Sequence, residues 1–135
     1  MHTAEYTFSQ RSVTCYFDAD FRGLADLVTD GNMIIITDEN VFNEHTEKLA
    51  GSRVIKFAAG ETNKNQATVD HIIRELINLG AHKNTFLIGL GGGVVTDITG
   101  YVAAVYMRGI KFGLVPTTIL AMVDAAIGGK NGIDV

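Results

Sequence analysis

The chain has 135 residues, of which 47% are hydrophobic, so it is long enough for one domain with a sizeable core. A formal net charge of −4 without a basic cluster excludes a nucleic-acid-binding surface, and a single cysteine, Cys15, excludes a disulfide framework and fits a reducing compartment. The N-terminus lacks the pattern of a signal peptide, and no apolar stretch is long enough to span a bilayer. We therefore expect a cytoplasmic protein without a membrane or nucleic-acid partner.

The first half of the chain predicts a hairpin followed by alternating strands and helices. Ala4–Phe8 and Ser12–Phe17 read as two strands of a β-hairpin. A short helix is expected around residues 21–28. Met33–Thr37 is β-branched, typical of a buried parallel strand. The polar run that follows it starts a helix over residues 38–50, which Gly51 ends.

The next unit predicts a strand, a polar loop and a helix. The strand is Arg53–Ala58 and the loop is G-E-T-N-K-N, residues 60–65. The helix after it ends at Gly80. Its apolar stripe is predicted to comprise Val69, Ile72, Ile73, Leu76 and Ile77.

The stretch T-F-L-I-G-L-G-G-G-V-V-T-D-I-T-G, residues 85–100, combines a strand, a glycine turn and a helix. The predicted apolar face of this helix comprises Val94, Ile98, Tyr101, Val102 and Val105. Free N–H groups and the positive end of a helix dipole meet at such a turn, which favours a phosphate. The dinucleotide fingerprint G-x-G-x-x-G is not matched in either frame, so a turn without a ligand is an equal alternative. Asp97 favours the ligand, because its carboxylate could accept a hydroxyl hydrogen bond.

The last part predicts a strand over Phe112–Val115 that Pro116 closes, a helix from Thr117 to about Ala126, and a turn at residues 128–132. Alternating strands and helices predict an α/β fold, a Rossmann-like and mostly parallel sheet with helices on both faces. Ligands bind such sheets beyond the carboxyl ends of the strands.

Polar residues follow four of the predicted strands at that edge, and each has a structural alternative. These groups are Asp38 and Asn40, Glu61 and Lys64, the triple glycine with Asp97, and Thr117 with Thr118. Those at 38, 40, 117 and 118 could be helix caps, and Glu61 and Lys64 could be an ordinary surface pair. Lys130, an ammonium among glycines, suits an anionic ligand. Asp124 lies within an apolar helix, where a carboxylate is costly unless it caps, pairs or binds something. The four histidines show no metal-ligand spacing.

The motifs G-G-G-V-V-T-D-I-T-G-Y-V-A-A-V-Y-M-R-G and V-P-T-T-I-L-A-M-V-D-A-A-I-G-G-K, in this order, resemble those of the 3-dehydroquinate synthases. Polyol and iron-type alcohol dehydrogenases share the triple glycine and the Pro-Thr pair, but as a rule lack the continuation L-A-x-V-D and G-G-K. The resemblance covers nearly the whole chain and favours the sugar-phosphate cyclases.

The resemblance implies that residues 1–135 form an NAD-binding domain, with a helical domain expected after Val135 that holds zinc or cobalt. The family converts a seven-carbon keto-acid phosphate to 3-dehydroquinate in the shikimate pathway, with transient oxidation by NAD and loss of phosphate. By this resemblance ten residues at the strand ends would hold NAD: Asp38, Asn40, Glu61, Lys64, Gly92, Gly93, Val94, Asp97, Thr117 and Thr118. Arg108, Asp124 and Lys130 would meet the sugar phosphate, with Arg108 a candidate to reach into a neighbouring subunit of a homodimer.

Two positions depart from the family pattern. Thr96 stands where glycine is usual and could crowd the pyrophosphate, and Asn131 stands where threonine is common. The apolar ending at Val135 suggests a piece of a longer protein that is inactive alone. The alternatives are a polyol dehydrogenase piece, another sugar-phosphate cyclase, and a stand-alone nucleotide-binding module.

Overall fold

The computed structural model describes residues 2–8 and 11–17 as strands and residues 32–117 in full. The described strands are β1 (His2–Phe8), β2 (Arg11–Phe17), β3 (Met33–Asp38), β4 (Val54–Phe57), β5 (Phe86–Gly91) and β6 (Phe112–Pro116). The described helices are α1 (Glu39–Glu44), α2 (Thr46–Leu49), α3 (Gln66–Asn78) and α4 (Gly93–Val105), with single 3-10 turns at Glu61–Asn63 and Tyr106–Arg108. The helices expected around residues 21–28 and from Thr117 to Ala126, and the turn at 128–132, lie outside these residues.

The strands form the predicted hairpin and a parallel sheet. β1 pairs antiparallel with β2, with His2 opposite Phe17 and Phe8 opposite Arg11. The second sheet has the order β4-β3-β5-β6, and all three of its pairings are parallel. The predicted α/β fold is therefore confirmed.

Helices cover both faces of the parallel sheet. On one face α3 and α4 pack against the sheet through residues such as Ile72 and Ile98, which are fully buried. On the other face Leu49 of α2 packs with Ile35 and Ile88. Because both faces are covered, β3 can be an almost uninterrupted apolar run, as the sequence predicted.

Glycines let α4 lie unusually close to β5. A Cβ atom at Gly89 would come within 2.5 Å of Thr99 Oγ1, and one at Gly91 within 2.6 Å of Val95 Cγ2. Real Cβ atoms do not approach other atoms this closely, so these two strand positions accept only glycine at this helix–sheet distance. The first glycine of the triple-glycine run is therefore used for packing.

The predicted helix over residues 38–50 is wrong in one respect, because it is divided at His45. His45 has φ −123° and ψ 27°, outside the helical range. The Thr46 hydroxyl donates to Phe42 O at 3.0 Å, the carbonyl that the Thr46 N–H would bond in a continuous helix. The side chain thus competes with the helical backbone at this point.

Two of the predicted apolar faces also need correction. In α3, Val69, Ile72 and Leu76 are fully buried, but Ile77 is 63% exposed and is not part of the core. In α4, Val105 is 48% exposed. Because α4 lies so close to the sheet, its buried surface extends nearly around its first two turns, from Val95 to Gly100, so a single-stripe prediction does not describe it.

Candidate functional site

Four strands end at one edge of the parallel sheet, and the polar candidates follow them there. Asp38 at the end of β3 is level with Phe57 at the end of β4. Thr37 is level with Leu90, and Gly91 at the end of β5 with Pro116 at the end of β6. The register therefore brings the segments after all four strands to the same side of the molecule, where α/β proteins bind ligands.

The glycine turn opens directly into α4. Gly92 is the N-cap residue, with φ −83° and ψ −164°, and no side chain of the described residues caps the helix. The first-turn N–H groups have no partner within a helix, and the positive end of the helix dipole lies at the same place. Gly93 is exposed, and a Cβ atom built on it meets nothing within 4 Å. The start of α4 thus offers unobstructed backbone donors to an anion.

Asp97 lies in the second turn of α4, one turn beyond these donors, and is 6% exposed. Its Oδ2 accepts a hydrogen bond from Lys64 Nζ at 2.8 Å. Its Oδ1 is buried and accepts no hydrogen bond from the residues that the structure describes. A buried carboxylate oxygen without a donor is unfavourable, and such an atom calls for a missing partner.

Lys64 is one of the predicted site residues, and its position argues against the alternative of an ordinary surface pair with Glu61. The Lys64 side chain is only 13% exposed. Its Nζ is 2.8 Å from Asp97 Oδ2 and 3.8 Å from Glu61 Oε1, so the buried carboxylate on α4 is the nearer partner. The parallel strand order could have signalled this contact, because the segments after β4 and β5, the two strands that flank β3, meet at the same edge of the sheet.

Asp38 and Asn40 lie at the start of α1. Asp38 Oδ1 accepts a hydrogen bond from Val41 N at 2.8 Å, so this oxygen has the capping role that we considered. Asn40 is exposed in the first helical turn. Both residues lie at the edge of the sheet where the parallel strands end.

The backbone of Thr117 is hydrogen-bonded to the glycine turn. The Thr117 N–H donates to Gly91 O at 2.8 Å, which extends the β5–β6 pairing into the glycine turn. Thr118, Asp124 and Lys130 lie outside the described residues.

Arg108 is not brought to this site. The 13 residues of α4 span about 20 Å, so the 3-10 turn that follows the helix lies at the opposite edge of the sheet. Arg108 therefore cannot join the glycine turn of its own chain, and a role there would need a second copy.

Thr96, which stands where the family usually has glycine, is bonded to the glycine turn itself. Its side chain is fully buried, and its hydroxyl donates to Gly93 O at 3.2 Å. Crowding of the pyrophosphate by Thr96 stays a prediction.

The described residues fit a dinucleotide and contain no metal site. The uncapped start of α4 offers donors to a phosphate, and the unpaired Asp97 Oδ1 offers an acceptor to a ribose hydroxyl. Within residues 32–117 no group of three His, Cys, Asp or Glu side chains could hold a metal ion. In the same part of the chain no helix has the length and apolar character needed to cross a membrane.

The sequence of the chain matches a family model. Residues 54–135, more than half of the chain, match the model described as 3-dehydroquinate synthase N-terminal. The chain belongs to the 3-dehydroquinate synthase family. This confirms the resemblance of the glycine-turn and Pro-Thr-Thr motifs.

Curated relatives support the same family. A 3-dehydroquinate synthase of Acetivibrio thermocellus is 40% identical over 136 residues, covering 92% of this chain and 38% of the relative. A 3-dehydroquinate synthase of Pyrococcus furiosus is 59% identical over 75 residues, covering 56% of this chain and 22% of the relative. The chain thus spans well under half the length of these 3-dehydroquinate synthases.

A solved structure shares the fold over almost the whole chain. A crystal structure of 2-deoxy-scyllo-inosose synthase complexed with carbaglucose-6-phosphate, NAD+ and Co2+ superimposes with a TM-score of 0.82 at 26% identity. It covers 99% of this chain, which in turn covers 40% of that protein.

Proposed function

We propose that this chain is the NAD-binding part of a 3-dehydroquinate synthase. The complete enzyme would convert 3-deoxy-D-arabino-heptulosonate 7-phosphate to 3-dehydroquinate with elimination of phosphate, a step of the shikimate pathway. The observation that carries the proposal is the buried Asp97 Oδ1, to which none of the described residues donates, one helical turn from the backbone donors of the glycine turn. The similar 2-deoxy-scyllo-inosose synthase, whose structure contains NAD+, supports it.

Different residues at the strand ends would bind different parts of the cofactor. The N–H groups of Gly92, Gly93 and Val94 would bind the pyrophosphate, since a helix start favours an anion. Asp97 Oδ1 would accept a hydrogen bond from a ribose hydroxyl. Lys64 holds the other oxygen of this carboxylate at 2.8 Å and so fixes the direction in which Oδ1 points.

The remaining candidates complete the site around these groups. Asp38, Asn40, Glu61, Thr117 and Thr118 would contact the rest of the cofactor from the neighbouring strand ends. NAD supplies a hydride acceptor that can return the hydride later in the reaction. The chain's contribution is to bind and orient the cofactor at the sheet edge.

The substrate and the metal need parts beyond the described residues. Asp124 and Lys130 would meet the sugar phosphate, and Arg108 would do so from the neighbouring subunit of a homodimer. The metal, zinc or cobalt, would be held by a helical domain that follows Val135 in the complete protein. We place the enzyme in the cytoplasm, where a reduced Cys15 is expected.

The test is turnover by the complete protein. Phosphate release from the seven-carbon keto-acid phosphate, followed with NAD and either Zn²⁺ or Co²⁺, should be rapid and should stop when NAD is removed. Residues 1–135 alone should release no phosphate. If the complete protein instead oxidises polyols with net formation of NADH and releases no phosphate, the dehydrogenase alternative is correct.

A further inference from the structure

The turn after α4 has a backbone conformation that its residues disfavour. Met107 has φ 47° and ψ 38°, and Arg108 has φ 64°. Both values lie in the left-handed region, which residues with side chains rarely adopt, least of all twice in succession. Such conformations persist only where the surroundings enforce them, and they are concentrated at functional positions.

Lys83, in the segment between α3 and β5, donates hydrogen bonds to the backbone of this turn. Its Nζ donates to Met107 O at 3.1 Å and to Gly109 O at 2.6 Å. These two carbonyls lie on either side of Arg108. One ammonium group therefore binds both ends of the left-handed segment.

The segment between α3 and β5 makes a second contact with the turn, through Ala81. The Tyr106 hydroxyl, which is buried, donates to Ala81 O at 2.8 Å. Tyr106 is thereby fixed at the entrance of the turn, whereas Lys83 acts on the residues within it. The aromatic contact anchors α4, and the lysine contacts define the path of the backbone through Arg108.

The Arg108 side chain has no polar partner among the described residues. Its side chain is exposed and makes no hydrogen bond or ion pair with residues 32–117. A guanidinium binds phosphate and carboxylate groups in a fixed, planar geometry, so the direction in which it points determines what it can bind.

We propose that Lys83 is a positioning residue for Arg108: it holds the Met107–Gly109 turn so that the guanidinium points away from its own sheet, toward an anionic ligand. The inference rests on the proposed function, in which Arg108 meets the sugar phosphate in a neighbouring subunit. Lys83 itself touches neither the substrate nor the cofactor.

The first arm of the test measures the turn and needs no substrate. In the complete protein, Lys83→Met should accelerate hydrogen exchange at the amides of Gly109 and Ile110, which bond to Tyr106 O and Ala103 O at 2.8 Å each. Lys83→Arg keeps two or more donors and should preserve the protection. The matched control is Lys111→Met, which removes the same charge from an exposed side chain near the turn and should leave both amides unchanged.

The second arm measures the reaction. Lys83→Met should raise KM for the keto-acid phosphate about tenfold, because small misplacements of a substrate-orienting group have large effects. Affinity for NAD should not change, since the glycine turn is at the other edge of the sheet. Lys83→Arg should restore KM. A purely structural lysine would lower the melting temperature and leave KM unaltered.

Two outcomes overturn the inference. Unchanged exchange in Lys83→Met would show that the lysine does not hold the turn. Faster exchange with unchanged KM would show that the turn does not position a substrate-binding group. The variant Arg108→Gln tests the proposed function separately. If Arg108→Gln leaves KM for the keto-acid phosphate unchanged, Arg108 does not meet the substrate, and the proposed function is wrong at this residue.

Discussion

Lys64 Nζ lies 2.8 Å from Asp97 Oδ2, although the two residues are 33 positions apart. The ion pair joins the loop after β4 to α4, and both side chains are largely buried, with 13% and 8% of their surface exposed. It leaves Asp97 Oδ1 for a different donor. The pair therefore connects the packing of the sheet edge to the acceptor that we assign to NAD.

Removing the lysine should destabilise the protein. Lys64→Met leaves a buried carboxylate without its cation, which costs about 3–5 kcal/mol when one partner of a buried ion pair is lost. The free energy of unfolding, from urea titration of the complete protein, measures this. Lys64→Met combined with Asp97→Asn should recover part of the loss, because no unpaired charge remains.

Glu61→Gln is the control for this prediction. Glu61 is 67% exposed on its side chain and lies 3.8 Å from Lys64 Nζ, so the change should cost less than about 1 kcal/mol. Equal losses of unfolding free energy in Lys64→Met and Glu61→Gln would mean that the buried ion pair contributes no more to stability than the exposed one.

The close approach of α4 to β5 gives a second prediction. Gly89→Ala places a Cβ atom 2.5 Å from Thr99 Oγ1, and a core position that is overpacked in this way should lose about 1–3 kcal/mol of stability. Gly113→Ala is the matched change on β6, where the nearest atoms of Ile88 and Phe86 are at 3.3 Å. In thermal unfolding, Gly89→Ala should have a clearly lower melting temperature than Gly113→Ala. The reverse order would show that α4 and β5 can move apart at little cost.

Two isoleucines of α3 give the third prediction. Ile72 is fully buried and Ile77 is 63% exposed, although the sequence assigned both to one apolar stripe. Ile72→Ala should cost about 2–5 kcal/mol through lost burial and the cavity left behind. Ile77→Ala should change stability by less than about 0.5 kcal/mol. Similar costs at the two positions, measured by denaturant unfolding, would contradict the packing of α3.

The sequence predicted most of the architecture, because its periodic signals are local. The β-branched run at Met33–Thr37 and the glycines after β5 each specify one element and its end. The alternation of these elements then implied a parallel sheet, and its register brought the polar residues together as expected.

The features that the sequence did not predict depend on contacts between elements. The ion pair of Lys64 joins it to Asp97, 33 residues away, so its loop position alone left an ordinary surface pair open as an alternative to a binding role. The break at His45 depends on a competing Thr46 hydroxyl bond. The left-handed backbone at Met107 and Arg108 has no glycine to signal it, and Lys83, which holds it, is 24 residues away from Met107.

The open side of the glycine turn provides the sharpest test of NAD binding. Gly93 is exposed, and an added Cβ atom meets no atom of the described residues within 4 Å, so Gly93→Val should leave the fold intact. Gly92, with φ −83°, also has a backbone that accepts a side chain, and Gly92→Val serves as a second variant. In both variants the new side chain would occupy the space through which the pyrophosphate reaches the helix start.

The decisive measurement is calorimetric titration of NAD into the complete wild-type protein and into Gly93→Val, with the melting temperature of each recorded without ligand. We expect NAD affinity to fall by at least about tenfold, since the donors at the helix start would be blocked, while the melting temperature stays within a few degrees. Unchanged NAD affinity in a folded Gly93→Val protein would contradict the assignment of the glycine turn as the pyrophosphate site.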